Sequence, residues 1–199
     1  KLAYLHPKRF VANRELIKPY LQDNNPYILI RLVSLTGYHD ENIKGINNPL
    51  LDRIIERFKA MGYSVYISSE KALSEPYCSY QLASPVDFIH HIMAFASLLV
   101  CDSQSMAVEA AMLGVPSIRF NDFAGKISVL EELEHKYGLT YGIKTDQPER
   151  LFEKINELLA MPNLREEFQL RRQKMLADKI DVTAFLAWFI ENYPKSKEI

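Results

Sequence analysis

Hydrophobic positions along the chain fall into short runs, and the spacing within them switches between that of a strand and that of a helix. Tyr27–Val33 (YILIRLV) is a dense block of β-branched and aromatic residues and predicts a strand. After a polar loop, Ser34–Asn48, apolar residues recur at Leu50, Leu51, Ile54, Ile55 and Phe58, which predicts a helix over Pro49–Met61. Pro49 suits the first turn of that helix, and Gly62 suits its end. The alternation continues with strand Tyr63–Ser68, a helix capped by Asp87 and running to about Ala96, strand Ser97–Cys101 and helix Gln104–Leu113. Strand Pro116–Phe120, a helix around Ser128–Tyr137 and strand Thr140–Ile143 follow. Three helices close the chain, about Pro148–Met161, Asn163–Asp178 and Val182–Tyr193. A short strand at Ser79–Leu82, inside the otherwise irregular Ser69–Pro85, brings the expected total to about six.

Strands alternating with helices predict a parallel sheet covered on both faces, an α/β, Rossmann-like three-layer αβα domain with extra C-terminal helices. The almost wholly apolar Ser97–Cys101 fits a strand buried on both sides. Residues 1–26, punctuated by Pro7, Pro19 and Pro26 around a short helical stretch at Arg14–Leu21, read as a lead-in or linker. The main domain is expected over 27–180, with a terminal helix in 181–199.

Composition narrows the functional class. The chain has 199 residues, 24 Lys plus Arg against 25 Asp plus Glu, and a formal net charge of −1. No basic excess or stripe marks a nucleic-acid binder. The longest apolar stretch, about ten residues near Ile92–Cys101, falls well short of the roughly twenty a membrane helix needs. Cys78 and Cys101 form no CxxC pair and no disulfide framework, so a reducing cytoplasm is expected, with Cys101 a small core residue. The chain opens on Lys-Leu-Ala-Tyr, not Met, and is expected to be a piece of a longer protein.

The chemistry concentrates in Leu98–Phe120 (LLVCDSQSMAVEAAMLGVPSIRF). An apolar strand ends at Cys101, and Asp102-Ser103-Gln104-Ser105 turns directly into a helix. Ligands of open α/β sheets settle outside the carboxyl ends of strands, where this turn must lie. A helix start offers unpaired amides and the positive end of a dipole, which suits phosphate, and small hydroxyl residues allow close approach. Ser103 is the natural cap. Glu109 lies four residues past Ser105 on the same helix face and about 9 Å of axial rise past Ser103. That span fits a phosphate at the helix start and a ribose diol accepted by the carboxylate. Ser-rich helix starts are also common caps, and a mid-helix Glu is usually only solvated, so spacing alone leaves both readings open.

Asp102-Ser103-x-Ser105-x-x-x-Glu109-Ala110-x-x-Leu113-Gly114-x-Pro116 resembles the signature of the C-terminal domain of UDP-N-acetylglucosamine 2-epimerases and related GT-B glycosyltransferases. The resemblance implies that the serine turn (Ser103, Gln104, Ser105) holds a diphosphate and that Glu109 holds the ribose. Where epimerases carry Gly-Gly after the serine, this chain has Gln104-Ser105. A closer similarity is to an uncharacterised prokaryotic family of GT-B-like proteins. It rests on Tyr4-Leu5-His6-Pro7, Lys44-Gly45, Ile67-Ser68-Ser69-Glu70, His90-His91, Asp102-Ser103-Gln104 and Glu134-x-Lys136-Tyr137-Gly138-Leu139, and it spans the chain to about residue 142.

The resemblance implies further positions. His39 and Lys44, with Arg31 as a lesser candidate, would reach the phosphates from the loop after the first strand; catalytic residues are not assigned, His39 and Lys44 being candidates. Ala83, Ser84 and Pro85 would lie beside the base. From their place at a strand's end, Arg119, Asn121 and Asp122 would reach the sugar; equally, Asn121 or Asp122 shapes the turn. Adjacent His90 and His91 cannot share a helix face and make a poor metal pair, so one is expected toward the cleft and the other packed or solvated. No metal and no cofactor are expected, only a nucleotide-sugar substrate, UDP-linked by resemblance. The partner would be a missing N-terminal domain, to which the aromatic helix at Val182–Tyr193 would cross, and a homodimer stays open. The reaction would be glycosyl transfer or epimerisation, the isolated chain being inactive. The rivals are a flavodoxin-like module and a nucleotide-free interaction domain.

Overall fold

The computed structural model describes residues 3–33 and 44–198. Its centre is a parallel sheet of β1 (Tyr27–Leu32), β2 (Ser64–Ser69), β3 (Leu98–Cys101), β4 (Ser117–Phe120) and β5 (Thr140–Ile143) in the order β2-β1-β3-β4-β5. The chain steps outward from β1 to β2, then returns to the other side of β1 to lay down β3. The order therefore reverses between β1 and β3, where neighbouring connections leave on opposite faces and open a crevice. Arg31 pairs with Cys101 across that junction, which sets the exits of the two strands side by side.

Around the sheet lie α1 (Asn48–Ala60), α2 (Ile89–Phe95), α3 (Gln104–Leu113), α4 (Ser128–His135), α5 (Pro148–Leu159), α6 (Leu164–Asp178) and α7 (Val182–Glu191). The signals that place α1 are local. Asn47 caps it by accepting the Leu50 amide at 3.0 Å, Pro49 occupies the first turn, and the apolar stripe named above is its buried face. In α3, Ala107, Ala110 and Ala111 are fully buried, and these small side chains let the helix lie close against its neighbours. Gly114 ends α3 in the left-handed region at φ +69°, where an added Cβ would sit 2.5 Å from Gln169 Nε2.

Several expectations are corrected. Among the described residues the sheet has five strands, because Ser79–Leu82 contributes only a 3-10 turn, Cys78–Tyr80, and a single parallel bridge from Gln81 to Ile67. Beyond it, Pro85 lacks an amide and cannot extend a ladder. Asp87 lies within a 3-10 turn, Val86–Phe88, and does not cap α2. The helix expected at Arg14–Leu21 reduces to a 3-10 turn, Lys18–Tyr20, because Pro19 removes a donor and crowds the preceding turn. The lead-in nonetheless packs onto the domain, with Leu5 and Ile17 fully buried. By contrast α7 buries none of its residues and presents Phe185, Leu186, Trp188 and Ile190 to solvent.

Candidate functional site

At the exit of β3 the backbone turns from strand into α3 within two residues. Ser103 takes an extended conformation and its hydroxyl accepts the Met106 amide at 3.3 Å, so it is the N-cap. Gln104 and Ser105 fill the first turn, where an amide has no carbonyl one turn back to bond. The Ser103 and Ser105 hydroxyls stand 3.4 Å apart, Ser103 buried and Ser105 exposed. The Gln104 side-chain amide is buried and has no hydrogen-bond partner among the described residues.

The buried acid beneath this turn organises it. Asp102 accepts the Val33 amide at 2.9 Å, closing the gap between the exits of β1 and β3. Burial pushes its carboxyl up from 3.8 to about 6, against the opposing pull of the Val33 and Ile46 amides and Arg31. The Asp102 carbonyl accepts from the Asn121 side chain at 3.1 Å, and Asn121 accepts the Phe123 amide at 3.0 Å. Asn121, expected either near a sugar or as a former of the turn, is fully buried at the end of β4 and bonds within that turn. Cys101, also fully buried, has its thiol pushed up to about 12, chiefly by burial, and is a core residue without nucleophilic character at neutral pH.

Arg119, likewise expected near a sugar, is also enclosed. Its guanidinium is fully buried, not at the cleft surface, and pairs with Glu134 at 2.9 Å and Glu131 at 3.8 Å. Glu134 also accepts the Gly142 amide at 2.8 Å, and Gly142 is what makes room: an added Cβ would lie 2.7 Å from Arg119 Nη2. Arg31 is likewise committed, to Ser68 and Glu70 at 2.9 Å each. Asp122 accepts the Lys44 amide at 3.2 Å and the Thr145 hydroxyl, and the latter bond holds its carboxyl below the usual range. Lys44 lines a cavity of about 410 Å³ with Gly45, Asn47, Arg53, Thr145 and Asp146. His39 lies outside the described residues. Ala83 and Pro85 are exposed and Ser84 half-buried in the segment just before α2.

Glu109 does not point into bulk solvent. Its Oε2 meets His90 Nε2 at 3.2 Å and its Oε1 accepts the Tyr4 hydroxyl at 3.4 Å. The Tyr4 and His90 rings make an edge contact at 5.5 Å. Burial, then the Glu109 carboxylate, push the Tyr4 phenol up. His91 turns elsewhere: its Nδ1 accepts the Asn13 amide at 3.0 Å and its ring packs on Phe10. The adjacent histidines therefore divide, one toward Glu109 and one into the lead-in. The Tyr4-Leu5-His6-Pro7 and His90-His91 motifs are visible in the sequence, but nothing in their spacing brings them together on Glu109. Among the described residues no group of three His, Cys, Asp or Glu is placed to hold a metal ion.

No family model and no curated protein sequence matches the chain. Solved structures do. The calicheamicin glycosyltransferase CalG4 matches with a TM-score of 0.57 at 18% identity, over 88% of this chain and 46% of that one. The spinosyn forosaminyltransferase SpnP gives 0.54 at 14% identity, over 92% and 48%. UDP-GlcNAc 2-epimerase from Neisseria meningitidis gives 0.50 at 18% identity, over 77% and 41%. The chain therefore has the fold of a GT-B half, as glycosyltransferases and UDP-GlcNAc 2-epimerases share it. It spans a little under half the length of those proteins, which is consistent with the C-terminal domain expected from the sequence. Among the described residues no helix is long and apolar enough to cross a membrane.

Proposed function

We propose that the chain is the nucleotide-sugar-binding half of a GT-B-type glycosyltransferase or a UDP-N-acetylglucosamine 2-epimerase-like enzyme. The observation that carries this reading is the geometry of α3. Its first-turn amides lie at the strand-order reversal beneath a capping Ser103, and a half-buried carboxylate, Glu109, sits further along the same helix. Both reactions build charge on a departing diphosphate, and a helix N-terminus stabilises that charge without reorganising. In this reading Ser103, Gln104 and Ser105 hold the diphosphate with His39 and Lys44, and Glu109 holds the ribose. The base passes beside Ala83–Pro85. The remaining half of the enzyme supplies the acid and base groups and covers the apolar face of α7, so the chain alone binds nucleotide weakly and turns over little. The free thiols of Cys78 and Cys101 suit a cytoplasmic setting.

A nucleotide-free interaction module is the second reading, favoured by the fact that Glu109 already has two protein partners. Calorimetric titration of the chain with UDP, GDP and CMP decides between them. Saturable binding of one nucleotide, weakened at least tenfold by Glu109→Ala, supports the first reading. Heats indistinguishable from dilution for all three support the second.

A further inference from the structure

Two motifs that nucleotide binding leaves without a role meet on the same carboxylate. Tyr4 comes from the lead-in and His90 from α2, 19 residues before Glu109, and each takes a different oxygen of the Glu109 side chain. Resting on the nucleotide-binding reading above, we propose that His90 is the positioning residue for Glu109, and that the Tyr4 hydroxyl holds the place on Oε1 that a ribose hydroxyl takes.

The two contacts are unequal. The His90 ring is held between Tyr4 at 5.5 Å and Phe10 at 6.2 Å, and the side chains of His90 and Glu109 are only 20% and 15% exposed. A ring fixed on both sides and bonded through Nε2 sets the plane of the carboxylate and so aims Oε1. Tyr4 is 48% exposed, and its hydroxyl stands 3.4 Å from Oε1, well beyond the usual 2.7–2.8 Å of an O–H···O bond. It is the weaker and more accessible of the two partners, hence the one that a ligand hydroxyl replaces. Neighbouring Leu5 is fully buried, and His91 holds the Asn13 amide, so Tyr4 can turn aside while the lead-in stays docked. A diol competes for Oε1 on good terms because it brings two O–H donors to the carboxylate, where Tyr4 brings one at 3.4 Å.

The test compares affinities for UDP and 2′-deoxy-UDP, measured by calorimetry on the full chain. Wild type is expected to favour UDP about tenfold, and Glu109→Ala to abolish the preference. His90→Ala is expected to cut the preference to under about threefold, while His90→Gln, which keeps an N–H donor, recovers most of it. Tyr4→Phe is expected to raise UDP affinity about threefold, by removing the competing hydroxyl. A His90→Ala variant that weakens both nucleotides equally, with the preference intact, overturns the positioning role even if wild type and Glu109→Ala behave as expected. Weaker UDP binding by Tyr4→Phe overturns the displacement. Failure of wild type to bind either nucleotide overturns the underlying reading, and this inference with it.

Discussion

The Asp102 carboxylate accepts the Val33 amide across the junction of β3 and β1, and it does so from a site with almost no solvent contact. An acid whose folded-state value is raised keeps its proton longer in the folded chain than in the unfolded one. Folding therefore takes up a proton between about pH 4 and pH 6, and stability falls as pH rises through that window. A rise from 3.8 to about 6 corresponds to roughly 3 kcal/mol at neutral pH. Asp102→Asn keeps an oxygen for the Val33 amide but carries no charge. Its stability relative to wild type, followed by urea denaturation, is expected to improve steadily from pH 4 to pH 7. Parallel curves for the two proteins would refute the assignment.

Ser103 serves the helix and, in the proposed reading, the ligand, and two substitutions separate the roles. Ser103→Ala removes the cap on the Met106 amide and is expected to cost about 1 kcal/mol of stability. Ser103→Asp caps equally well but places negative charge where the diphosphate would sit. Its melting temperature is expected to match wild type while UDP affinity drops at least tenfold. Unchanged UDP affinity in this variant would mean that the first turn of α3 is not where phosphate binds.

The buried pair of Arg119 and Glu134 should show the asymmetry of enclosed charges. Glu134→Ala strands the guanidinium and is expected to cost about 3–5 kcal/mol, whereas Arg119→Met, which fills similar space without charge, costs less. Gly142→Ala drives a methyl group against Arg119 and is expected to cost about 1–3 kcal/mol. Chemical denaturation ranks the three. If Arg119→Met alters binding of a UDP-sugar relative to UDP, its assignment as a purely internal residue is wrong.

The course of the main elements is legible in the sequence because their signals are local. Asn47, Pro49 and the apolar stripe place α1, and Ser103 with its run of alanines places α3. The identity of Asp102 as a tie between strands is not legible, because its partner Val33 lies 69 positions away and offers only a backbone amide. Arg119 misleads for a related reason. A charged residue at a strand's end reads as exposed until Glu134 and the small Gly142 are known to enclose it. The failed strand at Ser79–Leu82 shows the limit of propensity: its residues suit a strand, but beside β2 only one rung of the ladder forms.

α7 contributes little to the fold of this chain, since none of its residues is buried. Trp188→Ser, at a residue 41% exposed, is expected to shift stability by under about 0.5 kcal/mol. Leu151→Ala, at a fully buried position in α5, is expected to cost about 2–5 kcal/mol. Comparable losses from both would show that α7 is anchored more firmly than its exposure implies.

The docked lead-in bears on how this molecule can be shortened. A version starting at Tyr27 would leave the sheet complete in strands. It would also empty the two sockets filled by Leu5 and Ile17, strip the ring of His91 of its Asn13 amide, and leave Glu109 with His90 as its sole protein neighbour of those two. In three dimensions the lead-in also lies against α3, the helix that carries Ser105 and Glu109.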